Sequence, residues 1–128
     1  MYYNTITIKN SSGSMFNINN ITLNNIECNS IEITTNIHVT NLNITNCVSG
    51  SFALSGITID KLTHSSNQFT SESWTAVTYN SPINITNTRC TSLSFSNSNL
   101  VSIVYTSSFQ FSTLTLNSIN VTSTSTPL

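Results

Sequence analysis

The stretch FNINN-ITLNN-IECNS-IEITT, residues 16–35, decides the fold. Each of its four five-residue units opens apolar-polar-apolar and closes on two residues drawn from Asn, Ser and Thr. Three residues in that order form a short strand with two side chains on one face. The small hydrogen-bonding pair that follows turns the chain and satisfies local backbone groups. Repetition winds a coil whose first and third side chains point inward. A 3.6-residue helix cannot hold a strict period of five, and β-branched Ile, Val and Thr dominate.

The pattern extends in both directions. After a skip at Asn36 come IHVTN, LNITN, CVSGS, FALSG, ITIDK, LTHSS, NQFTS, ESWTA and VTYNS. A skip at Pro82 precedes INITN, TRCTS, LSFSN, SNLVS and IVYTS, and a skip at Ser108 precedes FQFST, LTLNS and INVTS. With MYYNT, ITIKN and SSGSM upstream, the chain holds 24 pentads, of which 17 are apolar at both the first and third positions. Random placement would give roughly 3 or 4 by template counting. The sequence therefore predicts an all-β, parallel β-solenoid over residues 1–123, with about six coils, uncapped at both ends, and a frayed tail at 124–128. At a strand spacing of about 4.8 Å, six coils would stack to roughly 29 Å.

This unit resembles that of the pentapeptide-repeat family, and the resemblance covers nearly the whole chain. Those proteins form a right-handed, four-sided β-helix with four pentads per coil. Four pentads per coil would put Cys28, Cys47 and Cys90 on one side. The departure lies at the first position, which is small in the family but bulky here, as at Ile6, Phe16, Ile21, Ile31, Phe52, Ile57, Phe109 and Leu114. Bulky residues overfill a narrow tube, which leaves a wider coil, as in pectin-lyase-like β-helices, or altered corners.

Composition narrows the function classes. Asn, Ser and Thr make up half of the 128 residues and charged residues only 5%, yet 38% of the chain is apolar. That apolar content excludes a disordered tract. A net charge of −1 argues against nucleic acid, which needs a basic footprint, and leaves little self-repulsion to oppose association. No apolar run is long enough for membrane insertion as a helix, and Met1 opens no signal-peptide pattern.

Few residues carry chemistry. Glu27, Glu32, Asp60 and Glu72 are the acids, and no pair is spaced for general acid–base work. The chain is therefore not expected to be an enzyme, and neither a cofactor nor a metal site is expected. His38 is expected outward and His64 inward, neither beside a partner at metal-ligand spacing. The three cysteines are expected inward as small buried hydrophobes. Residues 62–76, LTHSSNQFTSESWTA, fit the pattern least, because Glu72 would point inward at a cost without a partner. A bulge or protruding loop is expected there; for Phe69 and Trp74 core filling is the favoured reading, with presentation to a partner or sugar from that loop as the alternative.

Sequons stand at Asn10, Asn20, Asn43, Asn84 and Asn120. Asn43 and Asn84 are the sharper N-glycosylation candidates, since both take outward second positions on one side. An ice-binding threonine ladder is not expected, because Thr7, Thr22, Thr58, Thr63, Thr78 and Thr115 are assigned to different sides. The expectation is a non-enzymatic structural subunit at an extracellular, cell or virion surface, self-associating through its solenoid ends and carrying covalent glycans. The alternative is an adhesin-like or tailspike-like binding module.

Overall fold

The computed structural model describes residues 4–79, 81, 83–100, 103–104, 109–117 and 120–121, with side-chain environments given almost entirely up to Leu100. The described residues form twelve strands and no helix. These are β1 (Thr5–Lys9), β2 (Phe16–Asn24), β3 (Glu27–Thr45), β4 (Val48–Ser65), β5 (Gln68–Thr75), β6 (Thr78–Tyr79), β7 (Ile83–Thr86), β8 (Thr88–Ser96), β9 (Asn99–Leu100), β10 (Ile103–Val104), β11 (Phe109–Asn117) and β12 (Asn120–Val121). Every pairing is parallel, as a solenoid requires.

Register fixes the winding. Phe16 lies under Ile37, Ile21 under Leu42, Glu27 under Val48 and Ile31 under Phe52. Each pentad therefore stacks on the fourth pentad after it, giving four walls per turn. Wall 1 holds the pentads opening at Phe16, Ile37, Ile57, Val77 and Ser98; wall 2 those at Ile21, Leu42, Leu62 and Ile83. Wall 3 holds those at Ile26, Cys47, Asn67 and Thr88, and wall 4 those at Ile31, Phe52, Glu72 and Leu93.

The solenoid makes about four turns, not the six expected. The N-terminal winding differs as well, where the expectation had wound every pentad into the coil. SSGSM instead stands out of it, so Ile6 sits under Ile31 and the first turn is longer than the rest. Asn10 ties this loop down: its amide nitrogen donates to the carbonyls of Ser14 (2.6 Å) and Asn36 (3.0 Å). The C-terminal rungs continue the stacking of β7, β8 and β9 through β10, β11 and β12. The tail at 124–128 and the skips at Pro82 and Ser108 lie outside the described residues.

The interior follows the pentad rule closely. Ile31, Ile33, Val39, Leu42, Ile44, Phe52, Leu54 and Ile59 are fully buried. Each such side chain contributes roughly 1.5–3 kcal/mol by leaving water. The cysteines are buried and unpaired, with Cys28 and Cys90 in one inward column of wall 3 and Cys47 in the same wall. The skip at Asn36 is a bulge: the register shifts between Thr34 and Ile37, and Thr35 and Asn36 take φ of 73° and 54°.

Two of the four corners are built on left-handed residues. Asn25, Asn46, Ser66 and Asn87 stack at the corner between walls 2 and 3, with φ of 50–61°. Gly56, Ala76 and Asn97 continue the Thr35–Asn36 corner between walls 4 and 1, again with positive φ. This conformation costs most L-residues about 1–2 kcal/mol, and Asn and Gly least. That cost accounts for the Asn-rich fifth position.

The expected loop over 62–76 does not form. Residues Leu62–Ser65 close β4, and β5 carries Gln68–Thr75 in unbroken register with Val48–Ser55. Glu72 stays inward because a partner meets it there.

Candidate functional site

That partner is His64, two pentads earlier on wall 2. Its Nε2 lies 3.0 and 3.1 Å from the two carboxylate oxygens of Glu72, and both side chains are shut off from solvent. Asn67 orients the ring. Its Oδ1 accepts from the Cys47 N–H at 2.9 Å, while its Nδ2 donates to the Ile44 carbonyl at 2.9 Å and to His64 Nδ1 at 2.8 Å. An accepting Nδ1 puts the ring proton on Nε2, facing Glu72. Trp74 Nε1–H donates to Glu72 Oε2 at 2.9 Å. Phe52 and Phe69 stack 4.9 Å apart, and each meets the His64 ring edge-on. No buried polar side-chain atom among the described residues is left without a partner.

This cluster overturns the partner-binding reading of Phe69 and Trp74 and agrees with their assignment to the core. Both are buried, at 2% and 0% exposure, and neither faces a partner or sugar. The aromatic residues fill the core because Glu72, drawn inward by His64 and Trp74, keeps the segment in register. Sequence reasoning treated Glu72 as an unpaired acid; the signal available was a second polar residue, His64, also at an inward position.

The cluster is sealed, and its chemistry is structural. Burial pushes the Cys90 thiol up to about 12, with the charge of nearby Glu72 adding to the effect. Burial also raises Cys47, partly opposed by backbone hydrogen bonds from Ile26 and Thr45. Thiols so shifted supply almost no thiolate at neutral pH.

The outer surface carries ladders of like residues. On wall 1, His38 bridges Asn17 Oδ1 (3.1 Å) and Asp60 Oδ2 (3.0 Å), a half-exposed pair that solvent screens. On the corner after wall 1, Asn41 donates to Asn20 at 3.1 Å. On wall 2, Asn43 donates to Thr22 at 3.4 Å and Thr45 donates to Asn24 at 3.0 Å. The threonines form no long ladder: Thr58 stacks on Thr78, Asn43 separates Thr22 from Thr63, and Thr7 lies under Glu32. Among the described residues, no three His, Cys, Asp or Glu side chains gather to hold a metal.

The sequons divide by what their amides already do. Asn84 is exposed on β7, and Asn20 is exposed with its oxygen engaged. Asn43 is half-buried, and Asn10 has its amide nitrogen committed twice. Asn120 lies on β12.

Two recesses lie on wall 3. An open recess of about 580 Å³ runs along the corner where Asn46, Ser66 and Asn87 stack. A second, of about 270 Å³, lies across the same wall beside Asn29, Gly50 and Thr70. Between them stands one outward column, Glu27, Val48, Gln68 and Arg89 on successive rungs. At the edge of the second recess Gly50 packs closely on the rung below, where a Cβ would lie 2.8 Å from the Asn29 carbonyl oxygen.

Fold and surface together define an all-β parallel β-solenoid with a polar seam inside and one grooved wall outside. No family model, curated protein or solved structure matches the chain.

Proposed function

We propose that the chain is a non-enzymatic structural subunit that associates end to end through its solenoid rungs, building a fibre or a surface layer outside the cell or on a virion. One observation carries this. The outer edge of β2 pairs with no strand among the described residues, and β2 itself stacks only on β3. The side chains at that end are apolar: Phe16 is 56% and Met15 48% exposed, and Ile18 is only half-buried. An unpaired strand edge beside exposed apolar side chains is a template for another rung, and burying Phe16 alone would contribute roughly 1.5–3 kcal/mol. A chain with net charge −1 opposes that contact little. The winding by four pentads per turn supports a kinship with pentapeptide-repeat proteins, with a tube widened to hold Ile and Phe at the first position. Exposed Asn84, and Asn20 beside it in exposure, suit an extracellular glycoprotein.

Electron microscopy and sedimentation test this directly. Rods that lengthen with concentration are expected, shortened by Phe16→Lys while circular dichroism stays unchanged. Compact monomers at every concentration, in the unaltered chain, would refute the assignment.

A further inference from the structure

Wall 3 is hollowed on both flanks of one column. Its chemistry is mixed in a particular way. Arg89 is exposed and forms no ion pair among the described residues. The nearest acid in its column, Glu27, lies three rungs away, about 14 Å at ordinary strand spacing. Gln68 and Asn87, also exposed, make no side-chain hydrogen bond among the described residues, so their amides are free to donate and accept. The left-handed corner lines Asn46, Ser66 and Asn87 up along the recess, one polar group per rung. Val48, 41% exposed, adds an apolar surface to the same column.

A guanidinium suits a carboxylate, which it grips with two parallel hydrogen bonds. A row of amides and hydroxyls suits neighbouring hydroxyls, and a small apolar platform suits the C–H face of a ring. A densely charged ligand such as a polyphosphate or nucleic acid would need more than one cation. We propose that the wall 3 recess binds an acidic saccharide, its carboxylate on Arg89 and its hydroxyls on Gln68, Asn87 and the corner ladder. This adds a recognition surface along the flank of the solenoid, independent of how its ends associate.

Amide-resolved NMR titration of the folded chain with sialyllactose, and with lactose as its neutral counterpart, tests the assignment. Saturable shifts are expected at residues 46–48, 66–68 and 87–89, with lactose weaker by roughly tenfold, the scale of one charge-assisted hydrogen bond. Arg89→Gln should bring sialyllactose down to the lactose level while leaving the spectrum of the free protein otherwise unchanged. Lys9→Gln, on wall 4, should leave binding intact. Equal affinity for the two sugars, shifts centred on another wall, or no saturation by either sugar would each overturn the proposal.

Discussion

The rungs from Ile31 to Ile59 and the rungs from Leu62 to Trp74 obey one pentad rule and fill the same tube with different chemistry. In the first region the inward side chains are mainly Ile, Val, Leu and Phe, most of them fully buried. In the second, His64, Asn67 and Glu72 take equivalent inward positions beside Phe69 and Trp74. Backbone geometry decides which side chains point inward, and it does so regardless of what they are. Chemistry decides only whether the result is tolerable. An aliphatic rung is tolerated through packing alone, each side chain contributing separately. The polar seam is tolerated only as a unit, because its donors and acceptors are matched to one another, several of them across rungs and pentads.

Three sets of substitutions would break or sharpen that contrast. The largest effect is expected from Ile57→Asp, which buries an unpaired charge in the aliphatic region. It should lose more than about 4 kcal/mol and abolish the cooperative thermal transition, while Thr63→Asp, one pentad on and exposed, should change stability by about 0.5 kcal/mol or less. Next come the two members of the seam's buried His64–Glu72 pair. His64→Leu or Glu72→Met alone should each cost about 3 kcal/mol in chemical denaturation, since each leaves a buried partner stranded. The double variant should cost less than the sum by roughly 1–3 kcal/mol, which is the coupling expected of one network. Additive costs would show that the seam behaves like the aliphatic rungs after all. The smallest effect belongs to Ile33→Val, which removes one methylene and should cost about 1 kcal/mol, a graded response with no coupling to the seam.

Much of this was legible in the sequence because a solenoid is local. The alternation at Ile31 and Ile33, or Leu42 and Ile44, follows from strand pleat within five residues. The skip at Asn36 was equally visible, and it became a bulge with two left-handed residues. The inward placement of all three cysteines followed from the same count. Three things were not legible. The loop Asn10–Met15 counted as one more pentad although SSGSM is apolar at neither inward position; what holds it outside the coil, its anchor on the Asn36 carbonyl, lies 26 residues away. The segment 62–76 looked unstable because Glu72 and His64, eight residues apart, meet only after the corner at Ser66 turns the chain. The wall 3 recess is lined by Asn46, Ser66 and Asn87, brought into one row only by the length of a full turn.

By itself the sequence determined the five-residue rhythm, the parallel solenoid and the inward or outward sense of each position, because these arise from sterics within a single pentad. The tertiary structure alone decided how many turns close, which buried polar groups find partners, and where the surface is hollow. Those outcomes depend on register between rungs some 20 or 21 residues apart, and every extra residue in a turn shifts that register.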